Sequence, residues 1–113
     1  MILPKRGEIW LVDFDPSVGT EIQKTRPALI LSNNIANEKS SKVSVIPFTS
    51  NVKKLAMAVI VEPDANNCLD KQSLIKVPEI STFDKKRLKN KIGTLSKIKL
   101  KEVEDKLRIH LEL

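Results

Sequence analysis

The stretch Thr25–Ser50, TRPALILSNNIANEKSSKVSVIPFTS, holds two apolar blocks on either side of a polar connection, and the way those blocks pair decides the fold. Arg26-Pro27 stands where a charged segment gives way to Ala28-Leu29-Ile30-Leu31. Proline is tolerated at the start of a strand but breaks the ladder in the middle of a central one, so the strand begins around Arg26. Four apolar residues in a row point to burial on both faces. The segment from Asn33 to Ser41 reads as a connection with a short helical turn, and Val43–Ser50 as the next strand, with Pro47 marking an irregularity or an edge near its end. If the two strands form an antiparallel hairpin, its midpoint between Asn37 and Glu38 sets position 26 opposite position 49, give or take a slip of a residue or two. A guanidinium and a hydroxyl then meet at one end of the pair.

Upstream, Gly7-Glu8-Ile9-Trp10-Leu11-Val12-Asp13-Phe14 reads as a first strand halted by the turn signal Asp15-Pro16-Ser17, with a polar loop from Gly19 to Thr25. Downstream, Ala56–Val61 is a fourth strand ended by Glu62-Pro63-Asp64 and the turn-prone Asn66-Asn67, and Ser73–Val77 is a fifth. After Asp84 a short basic helical turn leads through Lys91–Leu95 to Ser96, a candidate N-cap. Leu100, Val103, Leu107 and Leu111 follow at helical spacing. Strands joined without long helices between them argue for an antiparallel barrel or sandwich closed by a terminal helix. The 113 residues fit one domain, 1–113, with a single core.

An apolar content of 41% belongs to a folded chain. The longest unbroken apolar run, Leu55–Val61, is far short of a membrane span, and Pro4, Lys5 and Arg6 interrupt any leader-like run, so the expected location is the cytoplasm. One cysteine, Cys68, and one histidine, His110, argue against an internal disulfide, structural zinc and Cys-His nucleophilic chemistry. His110 falls in the last turn of the terminal helix, and Cys68 has no basic neighbour within two residues to stabilise a thiolate. No phosphate-cradling glycine loop, dinucleotide fingerprint, nucleophile elbow or paired-histidine motif occurs, so no cofactor and no metal is expected. The net charge of +6 favours an anionic partner. Eight basic residues between Lys85 and Lys101, with no acidic one among them, form either an ordinary solvated surface or one that faces phosphates or an acidic protein. Aromatic residues are too few for an obvious base-stacking platform.

From the residues alone, Arg26 is either a strand-end partner of Glu21 or Asp15 or a ligand-facing cation. Four ordered segments bear on the choice: RGEIWLVDFDP (Arg6–Pro16), GTEIQKTRPALILSNN (Gly19–Asn34), VIPFTS (Val45–Ser50) and STFDKKRL (Ser81–Leu88). Together they resemble the MazF/PemK family of toxins from bacterial toxin-antitoxin pairs, in order and at family-like spacing over nearly the whole chain. The resemblance implies an SH3-like β-barrel with a C-terminal helix, and a homodimer. It further implies a metal-independent endoribonuclease that cuts single-stranded RNA at a short sequence and is held inactive by an antitoxin.

Carried over by position, the family's catalytic arginine matches Arg26 and its catalytic threonine matches Thr49. The resemblance makes Asp15–Thr25 a loop that moves with RNA and antitoxin binding, and assigns Gly19, Glu21, Lys24 and Ser50 to that loop or to RNA contact. The implied reaction is attack by the RNA 2′-hydroxyl on the adjacent phosphorus, leaving a cyclic phosphate and a 5′-hydroxyl, so DNA is not a substrate. An arginine stays protonated, which makes it a poor general base but a good ligand for two phosphoryl oxygens. Arg26 therefore takes an electrostatic role, with proton donation to the leaving 5′-oxygen as a further task open to it, and Thr49 adds a neutral hydrogen bond. For the base, Glu21 is a candidate that could equally position the loop or contact a nucleobase. Where many members carry Gln, a hydrophobic residue and Arg, this chain has Glu79-Ile80-Ser81. The missing arginine implies altered sequence preference or weaker RNA affinity, with the lysines after Asp84 as partial compensation.

Two other readings compete. A CcdB-like protein on the same fold poisons DNA gyrase without catalysis, but such poisons end in Trp-Gly-Ile where this chain has Leu111-Glu112-Leu113. A basic SH3-like interaction module accounts for charge and strands without any need for Arg26 and Thr49 at one end of a hairpin. If the cationic groove binds RNA, the antitoxin's inhibitory segment should be acidic and disordered until bound.

Overall fold

The computed structural model describes residues 3–14, 25–51 and 57–113. Among these residues, seven strands and two α-helices follow in the order β1 (Glu8–Asp13), β2 (Thr25–Ile30), α1 (Asn34–Lys39), β3 (Lys42–Thr49), β4 (Ala58–Val61), β5 (Ser73–Lys76), β6 (Ser81–Asp84), β7 (Leu88–Thr94) and α2 (Lys97–Leu111). All pairings are antiparallel, and the sheet runs β4-β5-β3-β2-β1-β7 with β6 on β3. The expected β-rich fold with a terminal helix is what forms.

The hairpin of β2 and β3 pairs Ala28 with Pro47, Leu29 with Ile46 and Ile30 with Val45, which is the register that places position 26 opposite 49. Its connection is the short α1, started by Asn33, whose side chain accepts the Ala36 N–H. Inside that turn the buried Asn37 donates to Ser32 O at 2.8 Å and shares a hydrogen bond with the Ser32 hydroxyl, which in turn accepts the Ser44 N–H at 3.0 Å. These bonds tie the connection to both strands and oppose slippage of the register.

β3 changes partner along its length, and this bends the sheet. Lys42–Val45 pair with β6, whereas Phe48 and Thr49 pair with Ile75 and Leu74 of β5. Ile46-Pro47 lie at the changeover, so the irregularity expected at Pro47 is a sheet corner rather than an edge, since a residue without an N–H leaves a ladder position free. β6 runs through a 3-10 turn at residues 85–87 into β7, so β7, β1, β2, β3 and β6 wrap around an inner core. Trp10, Val12, Ala28, Ile30, Val43, Val45 and Leu88 form that core, with Phe14 and Phe83 at its margin. Among the described residues no ladder joins β6 to β7, so the SH3-like barrel is not closed by hydrogen bonds there.

The opposite face of the same strands supplies Ile9, Leu29, Ile46 and Phe48 to a second core, covered by β4, β5 and α2 through Val59, Val61, Ile75 and Val103. Alternate residues of β2 thus enter different cores, which is the two-faced burial that ALIL requires. Ser96 caps α2 by accepting the Lys99 N–H at 3.2 Å, and Leu100, Val103 and Leu107 pack inward while Leu111 stays exposed. β5 ends at Lys76 because Val77-Pro78-Glu79 turns into a 3-10 helix, one residue short of the expected strand. Ala56, at the expected start of the fourth strand, lies outside the described residues.

Candidate active site

Pro27 determines where β2 and β3 part. Arg26 and Pro27 pair with Val12 and Leu11 of β1, but on the other side the ladder to β3 begins only at Ala28. Past that point Phe48 and Thr49 are taken up by β5. The gap becomes a cavity of about 440 Å³, a volume suited to a small ligand or one segment of a polymer. It is lined by Arg26 and Pro27 of β2, by Phe48, Thr49, Ser50 and Asn51 at the end of β3, and by Leu69, Asp70, Lys71 and Ser73 where the chain leads into β5.

The segment leading into β5 is tied down by local hydrogen bonds. Asn67 is buried, accepts the N–H groups of Asp64 at 3.1 Å and Leu69 at 3.0 Å, and donates to Glu62 O at 2.9 Å. Asp64 accepts the N–H groups of Asn66 and Asn67, so the turn expected at Asn66-Asn67 is a hydrogen-bonded knot. The knot rests on β7 through the Thr94 N–H, which donates to Asn66 O at 2.9 Å. Only glycine fits beneath it: a Cβ on Gly93 would stand 2.5 Å from Asn66 O and 2.6 Å from Asn67 O.

Within the cavity, Thr49 is half-buried and its Oγ1 accepts the Asn51 N–H at 3.1 Å, which leaves the hydroxyl proton available for an incoming oxygen. Arg26 is exposed, and among the described residues no carboxylate pairs with it. Asp70 and Lys71 are likewise without ion pairs, so three charged side chains surround one cavity without neutralising one another. Such a site attracts a charged ligand and has donors ready for its oxygens. Of the residues named from sequence, Arg26, Thr49 and Ser50 line this cavity. Gly19, Glu21 and Lys24, together with Asp15, lie outside the described residues.

Asp70 and Lys71 were not singled out by sequence reasoning. Their signal is a charged pair one residue before the strand Ser73–Lys76, a junction like that at Arg26, but the non-consecutive pairing of β5 with β3 is needed to see where it leads. Ser81, where the resemblance leads one to expect an arginine, is not among the cavity-lining residues and donates to Glu79 O at 3.1 Å. His110 and Cys68 are exposed, and neither lines the cavity.

The basic tract behaves differently from the cavity. Lys89 pairs with Asp13, Lys91 with Glu8, Lys99 with Glu102 and Lys101 with Asp105. Arg87 donates to Asp13 O at 3.2 Å and lies over the Phe83 ring, and Lys85 donates to Glu38 O. Lys89 and Lys91 project from β7, an end strand of the sheet, where charge discourages edge-to-edge pairing.

A family model described as PemK-like, MazF-like toxin of type II toxin-antitoxin system matches residues 5–111. The chain belongs to this family. The "Mycobacterium tuberculosis toxin MazF-mt6" is 26% identical over 94% of this chain and 97% of its own, with a TM-score of 0.78. MazF from Deinococcus radiodurans is 24% identical over the full length of both chains, with a TM-score of 0.83. A mycobacterial endoribonuclease in complex with its cognate antitoxin is 23% identical over 100% of this chain and 97% of its own, with a TM-score of 0.77. Membership in the PemK/MazF family assigns the chain to the toxins of type II toxin-antitoxin systems. It also accounts for the order of the four motifs noted in the sequence.

Proposed function

We propose that this PemK/MazF-family toxin is a metal-independent endoribonuclease that cuts single-stranded RNA at a short sequence, with Arg26 and Thr49 as catalytic residues. The observation that carries this is the meeting, at one cavity where Pro27 ends the β2–β3 ladder, of a hydroxyl with a free proton and a guanidinium that no carboxylate among the described residues pairs. Structures of similar fold include a mycobacterial endoribonuclease, 21% identical with a TM-score of 0.79.

In the reaction, the 2′-oxygen attacks the adjacent phosphorus and the bond to the 5′-oxygen breaks. Negative charge builds on the phosphoryl oxygens. Arg26 binds two of them in a fork, and the Thr49 hydroxyl donates to one. Donors aimed at developing charge each contribute about 10²–10³-fold in rate, and none of this requires a metal. Ser50, Glu21, Gly19 and Lys24 contact RNA or shape the loop beside it. The active form is a cytoplasmic homodimer, and a cognate antitoxin with an acidic inhibitory segment silences it by occupying the cationic cavity. The existence of an antitoxin complex for a protein of the same fold supports this partner.

The test is incubation with mixed-sequence RNA in EDTA, beside Arg26→Ala and Thr49→Ala. Cleavage by the native chain, with products ending in cyclic phosphate and strong loss in both variants, is expected. RNA left intact by the native chain, or cleaved equally by both variants, would sink the proposal.

A further inference from the structure

We infer that Asp70 is the general base that takes the proton from the attacking 2′-hydroxyl. The assignment rests on the ribonuclease function proposed above and adds the proton acceptor that Arg26 and Thr49 do not provide. Three side chains lining the cavity carry charge: Arg26, Asp70 and Lys71. Guanidinium and ammonium groups are protonated at neutral pH and donate only, whereas a carboxylate is deprotonated and accepts only. Asp70 is therefore the one lining group, among the described residues, able to receive a proton. The chain's single histidine lies at the far end of α2 and does not line the cavity.

Engagement separates Asp70 from nearly every other described carboxylate. Glu62 is held by Gln72, Asp64 caps its own turn, Glu79 pairs with Lys76, Asp84 accepts the Lys86 N–H, and Glu104 pairs with Arg6. Glu8, Asp13, Glu38, Glu102 and Asp105 have partners as well. Only the carboxylates of Asp70 and of Glu112, beyond the last turn of α2, have neither a side-chain hydrogen bond nor an ion pair among the described residues. An acceptor kept free beside a cavity has its lone pairs available to a substrate. Its wall is fixed by the Asn67 knot, and Ser73 strengthens that wall by donating to Lys71 O at 3.0 Å. Arg26 and Thr49 hold the phosphoryl oxygens from the β2–β3 side. Asp70 lines the same cavity from the segment that leads into β5, and takes the ribose side in this assignment.

The step balances simply. The 2′-O–H proton passes to a carboxylate oxygen of Asp70 as the 2′-O–P bond forms, the P–O5′ bond breaks, and the leaving 5′-oxygen takes a proton from solvent water. Arg26 and Lys71 are the other charged side chains that line the cavity with Asp70 among the described residues.

Rates for native chain, Asp70→Asn, Asp70→Glu and Glu21→Gln on one cleavable RNA, across a pH series, test the assignment. Folding is checked by urea titration, and binding is measured with the same RNA carrying 2′-deoxyribose at the cut position. Asp70→Asn should lose about 10²–10⁴-fold in kcat/KM at every cleaved sequence alike, lose the acid limb of the pH profile and still bind the deoxy analogue. Asp70→Glu should recover part of the rate with the acid limb restored. Retention of rate or of the acid limb in Asp70→Asn overturns the assignment. So does a changed set of cut sites at undiminished rate, which would make Asp70 a base-reading residue. Intact RNA with the native chain would instead remove the ribonuclease function itself, and that outcome is distinct from any of these.

Discussion

The Lys85–Lys101 tract and the cavity at Arg26 are both rich in charge, and they dispose of it in opposite ways. Along β7 and the start of α2 most cations are matched by carboxylates or carbonyls from β1, α1 or the next helical turn. At the cavity, Arg26, Asp70 and Lys71 share one space and pair with nothing described. Charge density alone therefore does not locate function in this chain. Under the proposed function the better guide is charge that no described residue neutralises, set at a break in the backbone ladder, because only groups without internal partners are free to bind an external one.

The largest effect should come from setting one member of each region against the other. Arg26→Ala is expected to lower RNA cleavage by at least about 10²–10³-fold, since it removes a forked donor to the charge that develops in the reaction. Lys101→Ala removes an exposed ion pair, and Lys91→Ala removes one whose partner Glu8 is partly buried but keeps its hydrogen bonds from Trp10 and Lys5, so each should alter stability by no more than about 1 kcal/mol and leave cleavage as it was. Initial rates on a single RNA, with urea midpoints for all three variants, make the comparison. If the lysine variants lose as much activity as Arg26→Ala, the contrast between the regions is wrong.

A smaller effect should follow from disturbing the segment that brings Asp70 and Lys71 to the cavity. Gly93→Ala would push a methyl group against the carbonyls of Asn66 and Asn67, and these are backbone atoms within a hydrogen-bonded knot that cannot swing aside as a side chain would. A destabilisation of about 1–3 kcal/mol is expected, read from the urea midpoint. Because the knot fixes Asp70 and Lys71, the folded variant should also cleave RNA more slowly, which distinguishes it from a strand change remote from the cavity. Unaltered stability would show that the loop sits on β7 less tightly than the distances indicate.

Much of this was legible from the chain because its strongest local signals agree. ALIL followed by a polar connection and VSVIPF sets a hairpin whose register is over-determined, and Ser96 before an apolar 3.6-residue period sets the terminal helix. β6 and the start of β7 were not read as strands. STFD is short and largely exposed, and LKNKIGT carries lysines where alternation would show, so tertiary pairing with β3 and β1 overrides weak propensity there. The site divides along the same line. Arg26 and Thr49 follow from a local hairpin, whereas Asp70 and Lys71 arrive through the β3–β5 pairing, which no neighbouring sequence announces.

The smallest expected effect concerns the paired region and its response to acid. Burial pushes the Glu8 carboxyl up, but hydrogen bonds from Trp10 Nε1 and the Lys5 N–H, both at 2.9 Å, together with Lys91 Nζ at 3.2 Å, outweigh it and hold the group below the usual glutamate value. A group whose folded value is depressed stabilises the fold above its unfolded value, and that contribution disappears as pH falls through the folded one. Native stability should therefore decline between about pH 5 and pH 3 more steeply than that of Glu8→Gln. The two should differ by about 0.5–1 kcal/mol at pH 7 and converge in acid, where both side chains are neutral. Urea midpoints across that range measure the difference, and parallel curves would mean that the Glu8 hydrogen bonds are no stronger in the charged form than in the neutral one. Arg26→Ala carried through the same series should track the native curve, because no described carboxylate depends on Arg26 for its ionised state. Acid sensitivity of the fold would then belong to the paired charges and acid sensitivity of catalysis to the unpaired ones.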